Sequence, residues 1–305
     1  MKNLRLYGAG LLVALLLALA ACGTSGGGGG VTWTQRTSGT SYPLYGVAYG
    51  NGLFVAVGGS YSSGTSTILT SPDGVDWMQQ ISLTGSLLWD VTYGNNTFVA
   101  VGSNGTILTS PDGATWTQRT SGDYGLSSVT YGNNTFVAVG YNGAILTSPD
   151  GATWTRRTSP TRNYLSGVTY GNNTFVAVGY NGAILTSPDG VTWTRRTSPT
   201  SNYLYGVTYG NGTFVAVGED GTILTSPDGV TWTQRPSPVS NHLYGVTYGN
   251  GTFVVVGLYG AILTSPDGVT WTRRTSPTRN HLSGVTYGNN TFVAVGEGGT
   301  ILTSP

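Results

Sequence analysis

The sequence predicts an all-β protein built from seven like modules. Three observations predict it. Residues 165–203 form a unit of about 39 residues that returns almost unchanged from Leu204 onward. One register position is marked by Phe in every copy: Phe54, Phe98, Phe136, Phe175, Phe214, Phe253 and Phe292. Each copy holds four short runs of β-branched and aromatic residues, and none shows a helical period.

The unit at 165–203 shows each element. Its first run is 165–170. The second, 174–178, is apolar on both faces through Phe175, Val176, Ala177 and Val178. The third is 183–186. The fourth, 191–196, alternates polar residues around Trp193. Gly171-Asn172-Asn173 and Asn181-Gly182 supply residues that accept the positive φ of tight hairpins. Ser187-Pro188-Asp189-Gly190 carries the preferences of a type I turn. Four antiparallel strands in a repeat of about 40 residues specify one blade of a β-propeller. The expected fold is therefore a seven-bladed β-propeller of four-stranded antiparallel blades. A second strand apolar on both faces suits a blade sandwiched between two neighbours.

Residues 1–22 read as a targeting segment. Lys2 and Arg5 precede an unbroken apolar run at 11–21, too short to span a bilayer as a helix. It ends in Leu19-Ala20-Ala21-Cys22, which resembles the lipobox of bacterial lipoproteins. The resemblance implies lipidation of Cys22, export, and anchoring in the cell envelope through the lipid alone. Gly23 in place of Asp implies the outer membrane. Residues 23–30 form a Gly/Ser linker, read as a flexible tether, and 31–305 form the propeller. Cys22 is the only cysteine, so no disulfide is expected.

Residues 31–37 repeat the fourth run alone, and the chain stops at 301–305 just after a third run. Trp33 joins Trp77, Trp116, Trp154, Trp193, Trp232 and Trp271 to match the seven Phe. The expectation is a ring closed by the N-terminal strand, with 31–36 paired to 300–304. Closure would remove two exposed sheet edges.

Only 8% of residues are charged. Beyond residue 22, eleven Arg face twelve acids. With no basic excess, nucleic acid is not an expected partner. The pairs Arg156/Arg157, Arg195/Arg196 and Arg273/Arg274 fall on the outermost strand, where charges protect an edge from pairing.

The run Ser187-Pro188-Asp189-Gly190-Val191-Thr192-Trp193 has near copies at 71–77, 110–116, 148–154, 226–232 and 265–271. It resembles the Asp-box, or BNR, motif, and is one residue shorter between Asp and Gly. The resemblance implies a structural turn in which Asp73, Asp112, Asp150, Asp189, Asp228 and Asp267 cap backbone amides over a packed Trp. One carboxylate per turn falls far short of a calcium site, and no metal or cofactor is expected. A sialidase-like site would need converging Arg, a Tyr/Glu pair and an acid. The acids off the repeat pattern (Asp76, Asp90, Asp123, Glu219, Asp220 and Glu297) are scattered, so the chain reads as non-catalytic. An Asp-box glycoside hydrolase or lyase is the competing class. A lectin with one sugar pocket per blade is a third.

A four-stranded meander sends alternate loops to opposite ends. One end is monotonous, with Gly-Asn-Asn/Gly and Ser-Pro-Asp-Gly in nearly every copy. The other end varies. Tyr45, Trp89, Tyr205 and Tyr244 share one position at the start of the innermost strand, where other copies have Ser127, Ser166 and Ser283. Asp90 follows Trp89 where most copies have Gly. Loops at this end add Tyr164, Tyr203, His242 and His281. These residues suit a protein or glycan partner docked on a monomer.

Overall fold

The computed structural model describes residues 29–305, apart from 61, 83, 120, 121 and 123. Cys22, the signal segment and most of the linker lie outside the described residues. The described chain forms seven four-stranded antiparallel sheets. Blades one to six run in chain order, each from an innermost to an outermost strand. Blade four, for example, comprises Leu165–Gly171, Thr174–Gly179, Ile184–Ser187 and Thr194–Arg196. Blade seven takes three strands from 282–304 and its outermost strand, Thr34–Arg36, from the N-terminus. Thr34 pairs with Thr303, Gln35 with Leu302 and Arg36 with Ile301, so the expected closure is present, with the strand pairing at 34–36 rather than over all of 31–36.

The core lies between blades. Strand side chains alternate with period two, and each face of a blade buries against a different neighbour. Phe175 and Ala177 pack with Val137 and Val139 of blade three. Val176 and Val178 pack with Phe214 and Ala216 of blade five. That division is why the second strand is apolar throughout. The seam obeys the same rule. Val254 and Val256 of blade six meet Trp33 and Phe292, and Val293 and Val295 meet Leu44 and Phe54 of blade one.

A glycine fixes blade spacing near the axis. A Cβ on Gly171 would lie 2.1 Å from Cγ of Tyr209 in the next blade. The same contact joins Gly288 to Tyr49 across the seam. Each Tyr leans on its own blade's Phe, as Tyr209 does on Phe214 at 4.6 Å between centroids. No side chain larger than hydrogen fits beneath it.

The turns follow their residues. Asn181 (φ 55°) and Gly182 (φ 64°) are both left-handed, and Ala183 N donates to Tyr180 O at 3.2 Å. This is a type I′ turn, whose twist matches a hairpin. At the opposite end Asp189 Oδ1 accepts from Val191 N and Thr192 N, both at 2.9 Å. Gly190 N donates to Ser187 Oγ at 2.8 Å, and Trp193 Nε1 donates to Gly190 O at 2.8 Å.

Blade seven assembles its copy of that turn from both ends of the chain. Gly30 N donates to Pro305 O at 3.0 Å, and Trp33 Nε1 donates to Gly30 O at 2.7 Å. Gly29 stands where the other turns have Asp. A Cβ there would lie 2.4 Å from Pro305 O, so only glycine fits. Ser304 Oγ, whose counterparts bond to that Asp, is buried with no hydrogen-bond partner among the described residues.

Candidate functional site

Every innermost strand begins with an irregularity. The ladder of blade four slips between Leu165 and Gly167, leaving Ser166 as an extra residue. The same slip falls at Tyr45, Trp89, Ser127, Tyr205, Tyr244 and Ser283. A bulge re-aims the side chain it frees. Here the bulges ring one mouth of the central channel. A cavity of about 210 Å³ lies there, lined by Tyr45, Asp90, Ser127, Ser166, Tyr205, Tyr244 and Ser283 among others. Ser127 Oγ donates to Leu165 O of the next blade at 2.5 Å, and Ser166 Oγ donates to Leu204 O. Serine at this position thus laces neighbouring blades together. Tyrosine there adds aromatic surface to the mouth.

Among the described residues, Asp90 is the only charged side chain lining the cavity. Its Oδ1 accepts from Val91 N at 2.8 Å. Its Oδ2 accepts from Ser128 Oγ at 2.8 Å and from Val129 N at 3.0 Å, both in blade three. Val168 N in turn donates to Ser128 Oγ at 3.3 Å. The free edges of innermost strands face the axis, so their amides are the natural donors there. Asp90 and Ser128 therefore satisfy amides of blades two, three and four. The sequence marked Asp90 as an added acceptor but missed Ser128, which only the blade-to-blade register reveals.

Burial pushes the Asp90 carboxyl up to about 6 from 3.8, against the three hydrogen bonds that favour the charged form. A raised folded-state value makes folding take up a proton. The stability this group contributes is full below its unfolded value and is lost as pH rises through about 6. The six turn carboxyls, Asp73 to Asp267, are shifted the other way by the backbone amides they accept from. Their contribution is present above the unfolded value and is lost as pH falls through the lowered one. Stability is expected to peak near pH 4–5 and then decline by at most about 3 kcal/mol toward neutrality, less as channel water reaches the carboxyl. Thermal melts from pH 2 to 8 check this. Asp90→Asn should flatten the neutral limb and leave the acid limb in place.

Around the mouth, rings from successive blades form an arc. Tyr141 and Tyr164 lie 4.5 Å apart, and Tyr164 meets Tyr180 edge-on at 4.7 Å. Tyr180 stacks on Tyr203 at 4.0 Å with 5° between planes. Tyr205 approaches Tyr180 at 6.3 Å and Tyr244 at 5.2 Å. His242 borders both Tyr205 and Tyr244. Burial and the nearby Glu219 carboxylate push the Tyr205 phenol up to about 12, so it stays a neutral donor. On the other side Tyr45 packs against Trp89 at 4.6 Å, and Trp89 Nε1 donates to Ser103 Oγ at 3.2 Å. His281 stands apart from the mouth, against Tyr259 at 5.2 Å and beside Glu297. Tyr259 is 63% exposed and is held at φ 55°, a strained conformation for an aromatic residue.

His242 is the one imidazole at the mouth. Its Nδ1 accepts the Asp220 amide at 3.1 Å, with the Asp220 carboxylate 3.7 Å away. The proton of the neutral ring therefore sits on Nε2. With Nδ1 engaged by that amide and Nε2 protonated, neither ring nitrogen offers a free lone pair for general-base work. Among the described residues no group of three or more His, Cys, Asp or Glu gathers that could hold a metal.

No family model matches the sequence, and no curated protein matches it. Solved structures do. A YCF48 structure with a bound D1 peptide superposes with a TM-score of 0.72 at 18% identity, over 89% of this chain and 94% of that one. A catalytically inactive histidine-to-alanine variant of virginiamycin B lyase from Staphylococcus aureus, with quinupristin, gives 0.78 at 15% identity, over 90% and 98%. The WD40 propeller domain of Doa1 gives 0.70 at 12% identity, over 90% and 97%. These likenesses show a WD40-like seven-bladed propeller fold.

Proposed function

We propose that this chain is a non-catalytic binding propeller that takes a polypeptide segment across its variable end, over the channel mouth. One observation carries the reading. The tyrosines of blades three to six form a continuous arc that runs to the mouth, while the opposite end repeats the same two turns. Aromatic rings give large, stiff contact area with little rotamer entropy to lose, and their hydroxyls hydrogen-bond to peptide groups. The peptide-bound state of YCF48 supports a protein partner for this fold at a coarse level. In this proposal Cys22 carries the lipid that tethers the propeller to the cell envelope, probed by incorporation of labelled palmitate.

A lyase is the second reading, favoured by His242 beside Asp220 at the mouth and by the lyase among the structural neighbours. The proton position on His242 weighs against it.

Peptide and glycan arrays probed with the full chain in detergent give the ligand class. Tyr45, Trp89, Tyr205 and Tyr244 are then replaced singly by Ser, which the fold already carries at this position. Tyr205→Ser and Tyr244→Ser are expected to weaken an array-identified peptide about tenfold or more. Their melting temperatures should move little. Lower stability with unchanged affinity would make these rings core residues and sink the reading.

A further inference from the structure

We propose a second binding site, at the outer rim of the same end, where arginine clusters in blades three, four and six take the anionic groups of an acidic polysaccharide. It is independent of the channel mouth. In blade three a cavity of about 670 Å³ is lined by Arg156, Arg157 and Arg162 together with Thr158, Ser159 and Thr161. Blade six repeats it, at about 770 Å³, with Arg273, Arg274 and Arg279. Blade four has a smaller version of about 400 Å³, where Arg195 and Arg196 remain and Ser201 replaces the third Arg. Among the described residues, no acidic side chain lines any of the three.

The second Arg of each pair is aimed. Arg157 Nε donates to Thr147 Oγ1 at 2.7 Å, and Arg196 and Arg274 repeat the bond to Thr186 and Thr264. With Nε engaged, the two terminal nitrogens point away as a fork. The loop carrying Arg162 is also fixed. Thr161 N donates to Ser159 Oγ at 3.3 Å and Asn163 N donates to Thr161 Oγ1 at 3.0 Å. Among the described residues the only carboxylates within 4 Å of a basic side chain are Asp220 beside His242 and Glu297 beside His281. None of the eight arginines is therefore paired with a carboxylate among the described residues, and Arg156 lies over the Tyr124 ring at 3.9 Å.

Edge protection does not account for this. Blade one keeps its outermost strand with Gln79 and Gln80 and no Arg, and blade five manages with Gln234 and Arg235. The third arginines, Arg162 and Arg279, lie past the strand and occur only where the pair is already present. Arginine forks match the planar or tetrahedral oxygens of carboxylate and sulfate groups in two-point contacts. Glu219 and Asp220 form the corresponding turn of blade five, between blades four and six, with Asp220 beside His242. An uninterrupted phosphodiester backbone would meet that acidic turn. A glycan with spaced anions can bridge sites on blades three and four and skip blade five, gaining avidity from several weak contacts.

The test uses the full chain in detergent, with dextran sulfate, polygalacturonate, neutral dextran and polyadenylate as probes. The fold already carries the substitutions needed. Gln stands at the first position in blades two, five and seven, and Ser stands at the third position in blade four. The five-site variant Arg156→Gln, Arg162→Ser, Arg195→Gln, Arg273→Gln, Arg279→Ser should fold normally. Wild type is expected to bind dextran sulfate or polygalacturonate, with affinity that falls as salt rises. The variant is expected to lose at least about tenfold of that affinity and most of its salt dependence, at an unchanged melting temperature. Equal affinity in variant and wild type would overturn the proposal. So would binding of neutral dextran as tight as that of the anionic polymers, or of polyadenylate as tight as the better glycan.

Discussion

Deletion of residues 31–37 is expected to lower the melting temperature by roughly 10 °C or more and to make the protein self-associate. The segment supplies the outermost strand of blade seven and the only Trp of that blade. Trp33 is buried against Phe292 and the valines of blade six. Removing a packed Trp side chain costs about 3–5 kcal/mol, and the lost ladder with Thr303, Leu302 and Ile301 adds to it. In a domain of this size each kcal/mol moves the midpoint by roughly 2–4 °C. Ile301–Ser304 would then be an uncovered edge, able to pair with another chain. Trp33→Ala isolates the packing part and should reproduce about half of the shift or more. A deletion that melts with the wild type and stays monodisperse would contradict closure through the N-terminus.

Gly171→Ala is expected to destabilise more than Gly212→Ala, a methyl addition in the corresponding hairpin of the next blade. A Cβ on Gly171 would overlap the Tyr209 ring at 2.1 Å, and that ring is wedged against Phe214. Relief requires blades four and five to separate, and the closed ring resists that separation. Overpacking of this kind costs about 1–3 kcal/mol and can cost more. Gly212→Ala is the comparison. Nothing lies within 4 Å of its Cβ, and only its φ of 72° is unfavourable, which costs roughly 1–2 kcal/mol. Denaturant midpoints rank the two. Gly212→Ala melting below Gly171→Ala would mean that blade spacing is softer than the contact implies.

The fold was legible because the repeat is redundant. Seven Phe and seven repeat Trp count the blades, and the spare run at 31–37 points to its place. The two-sided apolar pattern of 174–178 points to packing on both faces, which the contacts of Phe175 and Val176 realise. Less of the site could be read. The position shared by Tyr45, Trp89, Tyr205 and Tyr244 was visible, but its bulge was not, because an extra residue leaves no mark in a run that is polar there already. The pairing of Asp90 with Ser128 and Val129 joins residues 38 and 39 positions apart in different blades. Likewise, the stacking of Tyr180 on Tyr203 is set by blade spacing rather than by sequence separation. At the rim, arginines that resemble edge protection in one strand become clusters once the loop brings Arg162 beside Arg157. The seam turn was hidden for a simpler reason. Its parts, Ser304-Pro305 and Gly29-Gly30, lie at opposite ends of the chain.

Hydrogen–deuterium exchange on the full chain, with and without an array-identified peptide, tests the central claim that the variable end is the binding surface. Protection is expected at the starts of the innermost strands around Tyr45, Trp89, Tyr205 and Tyr244, and in the turns holding Tyr180 and Tyr203. The Ser-Pro-Asp-Gly turns at the opposite end should exchange as before. Protection confined to those turns, with the channel mouth unchanged, would contradict the account.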